Sequence, residues 1–132
     1  MRLYLVRHGE AEPGEPDELR PLTKAGREQA HALGERLAAV EPKPAVVLTS
    51  PLLRARETAA AIAKATGADL RTDERLAPGA TAATLADAVG GAPEPVVAVG
   101  HQPDCSEIAV AAGAPDSGYF PPGGMASLEL PA

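Results

Sequence analysis

The stretch Leu3-Tyr4-Leu5-Val6-Arg7-His8-Gly9 joins a short apolar run to an arginine, an imidazole and a glycine. An unbroken apolar run of this length is typical of a strand that is buried on both faces of a parallel sheet. Two other runs have the same character. The sequence therefore predicts buried strands at Arg2 to Val6, Ala45 to Leu48 and Val96 to Val99.

Helical patterns lie between these strands. Lys24 to Val40 carries apolar residues at helical spacing, and Thr23 before it is a favourable N-cap. Ser50, which precedes a proline, predicts the N-cap of a second helix. This helix should continue to about Thr66 and end at Gly67, since glycine commonly follows the last helical turn.

Two further helices and a last strand complete the pattern, at Thr81 to Val89, Asp104 to Ala112 and Ala126 to Leu130. Strands that alternate with helices predict an α/β fold, a three-layer α/β/α sandwich around a mostly parallel central sheet. A length of 132 residues suits one domain covering residues 1–132. The polar, proline-rich segment Glu10 to Leu19 should form a surface loop beside the end of the first strand.

The charge balance limits the partners of this chain. Acidic residues outnumber basic ones by 18 to 12, for a net charge of −6. This argues against nucleic acid as a partner, since binding it requires a basic face. The apolar run at 3–6 is too short for a signal peptide, and no apolar stretch could cross a bilayer, so we expect a cytoplasmic protein without a membrane partner. The lone Cys105 excludes an intrachain disulfide and is expected to be a small buried residue.

Polar side chains follow each of the three predicted strands. Arg7 and His8 end the first, Arg54 lies in the helical turn after the second, and His101 follows the third. Each of these residues alone is common at a protein surface. The carboxyl ends of parallel strands, however, lie at one edge of the sheet, where open α/β sheets bind ligands. Together the four residues favour a phosphate site, to which helix N-termini add backbone N–H donors.

A metal site is the alternative at this edge, because imidazole is the commonest zinc-type ligand. Only His8 and His101 are available there, and the sequence has no HxxxH or CxxC spacing, so we expect no metal. We also expect the segment Ala114 to Gly124, which is rich in proline and glycine, to border the site.

Four blocks of this sequence resemble the histidine phosphatase superfamily, which includes the cofactor-dependent phosphoglycerate mutases. They are Leu-Val-Arg-His-Gly-Glu at 5–10, Arg-Pro-Leu-Thr-Lys-Ala-Gly at 20–26, Thr-Ser-Pro-Leu-Leu-Arg-Ala-Arg-Glu-Thr-Ala at 49–59 and Val-Gly-His at 99–101. The resemblance covers most of the chain and implies a phosphoglycerate mutase-like fold. It also implies that His8 is the nucleophile that becomes phosphorylated. Arg7, Arg54 and His101 would hold the phosphoryl oxygens, and neither a metal nor another cofactor would be required.

Three departures from the family pattern resemble the compact SixA-type phosphohistidine phosphatases more than the mutases. Ala11 and Gly14 stand where many relatives carry Ser or Thr and Asn. Pro78 follows Arg-Leu-Ala where many relatives place a general-acid glutamate, and the segment between the second and third blocks is too short for a large cap over the site. The candidates for a substitute general acid, each of which could equally be a solvated charge or a helix cap, are Glu10, Glu74 and Asp104.

The sequence therefore predicts a phosphatase that hydrolyses phosphohistidine, carried by a protein, through a phospho-His8 intermediate. Imidazole leaves more readily than an alkoxide, and such a reaction has less need of an acid. Two alternatives stay open: a phosphomonoesterase acting on a small sugar or nucleotide ester, and a phosphate-binding module without turnover. The sequence does not indicate the oligomeric state.

Overall fold

The computed structural model describes residues 1–114 and 120–131, which contain one five-stranded sheet with four α-helices. The strands are β1 (Arg2–Arg7), β2 (Val46–Thr49), β3 (Asp69–Thr72), β4 (Val96–Gly100) and β5 (Met125–Glu129). The helices are α1 (Lys24–Ala38), α2 (Leu53–Thr66), α3 (Ala82–Val89) and α4 (Asp104–Ala111), with short 3-10 turns at Asp17–Leu19 and Glu74–Leu76. No helix within these residues is long and apolar enough to span a membrane.

The strand order is β3-β2-β4-β1-β5, and the sheet is parallel except for β5, which runs antiparallel to β1. Along β1 the side chains alternate between the two faces. Leu3 and Leu5 join the core cluster that includes Leu85 of α3, whereas Tyr4 and Val6 join the cluster formed with α1 and α2. Both faces are therefore covered by helices, which explains the unbroken apolar run and confirms the predicted α/β/α sandwich.

The predicted elements are confirmed, with shifts of one or two residues at several ends. Thr23 caps α1 by accepting a hydrogen bond from the N–H of Gly26, and Gly67 ends α2 with a φ of 77°. The N-cap prediction for Ser50 is wrong, because α2 begins at Leu53 and Leu52 takes the cap position. The predicted surface loop is exposed from Glu12 to Leu19, but it turns back toward the sheet edge through the 3-10 turn.

One strand, β3, was not predicted from the sequence. Its four residues, Asp69–Thr72, are all exposed, and they form an edge strand that, among the described strands, pairs with β2 alone. An edge strand need not be apolar, since solvent reaches one side of it, and charged residues there discourage pairing with another chain. The hydrophobic pattern that identifies a buried strand is therefore absent from this segment.

A close approach between two glycines brings the start of α1 to the end of β1. A Cβ atom on Gly9 would lie 2.7 Å from the carbonyl oxygen of Gly26. A Cβ on Gly26 would in turn collide with the carbonyl of Glu10. The two backbones can touch only without side chains, and this contact sets the path of the chain that leaves His8.

Candidate active site

His8 is delivered to the carboxyl edge of the sheet as the first residue after β1. Its backbone N–H donates to the carbonyl of Gly100 at 3.1 Å, and the N–H of Gly9 donates to the Thr58 hydroxyl at 3.1 Å. The Nδ1 atom of His8 lies 2.7 Å from the carbonyl oxygen of Gly9. A carbonyl oxygen can only accept, so Nδ1 carries the proton of the neutral ring and Nε2 keeps its lone pair.

The surroundings keep the His8 ring uncharged. Burial, followed by the positive charges of Arg54 and Arg7, lowers the pKa of His8 to about 4, although the hydrogen bond to Gly9 acts in the opposite direction. At neutral pH the ring is therefore an imidazole with an available Nε2 lone pair, which is the protonation state that a nucleophile requires.

His101 lies beside His8, as predicted from the ends of β1 and β4. The two ring centroids are 5.1 Å apart with a 60° tilt. The Nε2 atom of His101 is 2.7 Å from the Ser50 hydroxyl oxygen. The Nδ1 atom is buried and has no hydrogen-bond partner among the described residues. Burial, followed by the nearby charges of His8 and Arg54, lowers the pKa of His101 to about 3.

Two arginines bring positive charge to the same place. Arg7 donates from Nη1 to the carbonyl of Phe120 at 2.9 Å, while its buried Nε has no partner among the described residues. Arg54, only 7% exposed, lies in the first turn of α2 and contributes electrostatically to both histidine pKa values. Buried polar atoms normally have partners. The Nε of Arg7 and the Nδ1 of His101 are therefore two polar groups that a polar ligand could satisfy.

Asp17 holds the Arg54 guanidinium, and sequence reasoning missed it. Arg54 donates from Nη1 to the Asp17 backbone carbonyl at 2.9 Å and from Nη2 to its carboxylate at 3.2 Å. Arg20 donates to the other carboxylate oxygen at 2.9 Å. Hydrogen bonds from Arg20 and then Arg54 hold the pKa of Asp17 below its ordinary value. The acid-x-x-Arg spacing at 17–20 is a sequence signal for the Asp17–Arg20 pair, but it does not indicate the contact with Arg54.

The segment after α4 also borders the site, as expected, in the part that the structure describes. The N–H of Gly123 donates to the carbonyls of Arg7 and His8, and the N–H of Arg7 donates to the Gly124 carbonyl at 2.9 Å. Residues 115–119 of the predicted bordering segment lie outside the described residues.

Residues 3–78 match the family model of the histidine phosphatase superfamily (branch 1). The chain belongs to this superfamily. An uncharacterized protein of Picosynechococcus sp. is 40% identical over 123 aligned residues, covering 84% of this chain and 72% of that protein. A probable phosphoglycerate mutase GpmB of Salmonella paratyphi C is 37% identical over 83 residues, covering 58% of this chain but only 37% of the mutase.

The solved structures include a candidate phosphohistidine phosphatase SixA from Agrobacterium tumefaciens. Its TM-score is 0.81 at 29% sequence identity, with 96% of this chain and 89% of that chain covered. The match over nearly the whole length of both chains places the fold with the SixA and phosphoglycerate mutase-like structures. Together with the family, it supports an enzyme of the phosphatase and mutase type.

The three candidate acids of this histidine phosphatase lie in different environments. Asp104, the first residue of α4, is 8% exposed, and its carboxylate accepts a hydrogen bond from the N–H of Gly79 at 2.8 Å. Glu10 and Glu74 are exposed, and their carboxylates form no hydrogen bond or ion pair with any described residue. None of the three contributes to the His8 pKa, in contrast to the arginines.

Proposed function

We propose that this chain is a phosphohistidine phosphatase that needs no metal ion and forms a phospho-His8 intermediate. One observation carries the proposal: His8 is held neutral, with its proton at Nδ1 and its Nε2 free, beside two arginines. The name of the similar SixA structure, which covers nearly the whole chain, points to the same substrate class.

The reaction follows from this protonation state. The Nε2 lone pair of His8 attacks phosphorus while the P–N bond of the substrate breaks, and the bonding electrons return to the substrate imidazole, which takes a proton from water. A water molecule then attacks the phosphorus of phospho-His8, the His8–phosphorus bond breaks and its electrons return to Nε2, and inorganic phosphate leaves. The proton that this water loses replaces the one taken from solvent in the first step, so the overall reaction consumes one water molecule. Covalent catalysis of this kind divides one difficult displacement into two easier ones.

The arginines and His101 would stabilise the phosphoryl group during both steps. Phosphoryl transfer spreads charge over three equatorial oxygens, and its catalysis is largely a matter of positioning and electrostatic stabilisation. The planar guanidinium groups of Arg7 and Arg54 suit bidentate contacts with those oxygens. Arg54 keeps donor hydrogens for such contacts, since each of its Nη atoms makes only one hydrogen bond to Asp17.

The placement of the acids favours a P–N bond over an ester. An alkoxide leaving group has a conjugate-acid pKa of roughly 15 to 16 and needs a proton from a positioned acid. An imidazole leaving group has a conjugate-acid pKa of about 6.5 and needs much less help. The carboxylate of Asp104 is already hydrogen-bonded to Gly79, and those of Glu10 and Glu74 are in solvent. Residues 73–81, which connect β3 to α3, contain only a short 3-10 turn.

A phosphomonoesterase is the second candidate, favoured by the similarity of 83 residues to a phosphoglycerate mutase. The two functions are separated by assaying the protein on a histidine-phosphorylated protein domain and on small sugar and nucleotide monophosphates. We expect much faster release of phosphate from the phosphorylated domain. Activity confined to the small esters would refute the phosphohistidine assignment, and loss of activity in EDTA would refute the metal-independent mechanism.

The intermediate is tested by incubating the protein with phosphoramidate and measuring acid-labile phosphate on the chain. The wild type should be labelled and His8→Ala should not. His31→Ala is the matched control and should label normally, because His31 is exposed on α1, where its Nε2 lies 2.6 Å from the Glu35 carboxylate. Equal labelling of wild type and His8→Ala would show that the nucleophile is a different residue.

A further inference from the structure

The Ser50 hydroxyl is fully buried between two nitrogen atoms. Its oxygen lies 2.7 Å from Nε2 of His101 and accepts a hydrogen bond from the backbone N–H of Leu52 at 3.2 Å. Ser50 follows the end of β2 directly, and its own N–H donates to the carbonyl of Val99 at 3.0 Å. Ser50 lies before the first residue of α2, Leu53, and its hydroxyl contacts both the histidine ring and the backbone.

The hydrogen bonds around Ser50 determine which way its hydroxyl proton points. A serine hydroxyl has one hydrogen to donate and two lone pairs that accept. The N–H of Leu52 uses one lone pair. Among the hydrogen bonds of the described residues, the one acceptor available to the hydroxyl hydrogen is Nε2 of His101. If Nε2 instead donated to Ser50, the buried hydroxyl hydrogen would have no acceptor, which costs free energy.

We propose that Ser50 is a positioning residue, which donates its hydroxyl hydrogen to Nε2 of His101 and thereby fixes the proton of that ring at Nδ1. In this tautomer the orphaned Nδ1 is an N–H donor in a ring 5.1 Å from the His8 ring. That His101 uses this donor to bind a phosphoryl oxygen rests on the proposed function. The tautomer itself does not.

Both histidines then carry their ring proton at Nδ1, but a different nitrogen of each ring is left without a partner. In His8 the Nδ1–H donates to the Gly9 carbonyl, which leaves the lone pair on Nε2 available for attack. In His101 the Nε2 lone pair accepts from the Ser50 hydroxyl, which leaves the N–H on Nδ1 available to an oxygen anion. His101 can thus act as a donor while neutral, which is consistent with the burial that lowers its pKa. Without Ser50, the ring could instead present a lone pair to the anion and repel it.

The tautomer is measured directly by long-range ¹H–¹⁵N NMR on the full chain with labelled histidine. In the wild type we expect Nδ1 of His101 to be protonated and Nε2 to be bare. Adding inorganic phosphate should shift the Nδ1 resonance. In Ser50→Ala the His101 ring should also populate the tautomer that carries its proton at Nε2. Phosphate should then bind about tenfold more weakly, a loss of about 1.4 kcal/mol of binding free energy. Ser50→Thr, which keeps the hydroxyl, should restore the wild-type tautomer.

Thr49→Val is the matched control for the loss of a buried hydroxyl in the same segment. The Thr49 hydroxyl donates to the Ser50 carbonyl at 3.0 Å and does not touch His101. This variant should keep the wild-type tautomer and bind phosphate within about twofold of the wild type. Since buried Thr49 and Ser50 substitutions could both reduce stability, the wild-type spectrum is decisive on its own: a proton on Nε2 of His101 would overturn the proposal.

The result also separates this inference from the proposed function. An unchanged His101 tautomer in a folded Ser50→Ala variant would refute the role of Ser50, whatever the activity of the protein. If the wild type shows the expected tautomer and phosphate shift but releases no phosphate from phosphohistidine, the role of Ser50 is supported and the proposed substrate is wrong.

Discussion

Lowering the pH should destabilise the folded chain through His8, in a window set by its pKa. This pKa is about 4 in the folded protein, against an ordinary value of 6.5. As the pH falls, the unfolded chain therefore takes up a proton before the folded chain does. The free energy of unfolding is unaffected above about pH 6.5 and is lost progressively between about pH 6.5 and pH 4. The full loss is about 3 kcal/mol, and about 2 kcal/mol of it is reached at pH 5.

Urea unfolding at about pH 7.5 and pH 5 measures this loss. His8→Asn removes the titrating group, and we expect this variant to lose about 2 kcal/mol less than the wild type over that interval. His101 remains in both proteins, so the difference between them isolates His8. Equal losses in the two proteins would show that His8 is not held neutral by burial, and the argument for a free Nε2 lone pair would fail.

The kcat/KM for phosphohistidine provides a second measurement of the His8 pKa. Protonation of His8 should leave kcat/KM level down to about pH 5, and a fall with a midpoint near pH 6.5 would contradict the lowered pKa.

Three further outcomes can be measured by steady-state kinetics. Arg54→Lys should lower kcat/KM by about tenfold to a hundredfold, because an ammonium group cannot replace a guanidinium that bonds two partners at once. Asp17→Asn should lower kcat/KM by about threefold to tenfold, with little change in stability, because the exposed carboxylate orients the Arg54 side chain rather than the fold. Glu10→Gln, Glu74→Gln and Asp104→Asn should each leave P–N hydrolysis within about threefold of the wild type, and a much larger loss in one of them would identify a general acid.

The buried part of the fold was predictable because its sequence pattern has a single physical cause. The runs that became β1, β2 and β4 are apolar on both faces, since helices cover both sides of the sheet. The edge strand β3 has no such cause for an apolar pattern, since all four of its residues are exposed. Local hydrophobicity reports burial, so it cannot identify a strand that is held mainly by backbone pairing to β2.

The same distinction applies to the site. Arg7, His8 and His101 were predictable because the topology of a parallel sheet brings strand ends together whatever their side chains are. The contact between Asp17 and Arg54 joins residues that are 37 positions apart through an exposed loop. No periodicity predicts where such a loop will return. The Ser50 hydroxyl accepts from the nearby N–H of Leu52, which is the local kind of contact that a cap prediction implies. Its second partner, His101, is 51 residues away in sequence, and no local pattern predicts that contact.

Burial of the two histidines also determines how the charge of the site depends on pH. Arginine stays protonated throughout the physiological range, and with the pKa values of His8 and His101 at about 4 and 3 neither ring changes charge there. The positive charge near the proposed phosphoryl position is therefore supplied by arginines, Arg54 and Arg7 before Arg20, and not by the histidines. Two imidazoles with ordinary pKa values would add positive charge below about pH 6.5 and would remove the nucleophile at the same time. A chain that uses one histidine as a nucleophile therefore gains by keeping its neighbour neutral as well, because a second positive ring 5.1 Å away would weaken the basicity of the attacking nitrogen.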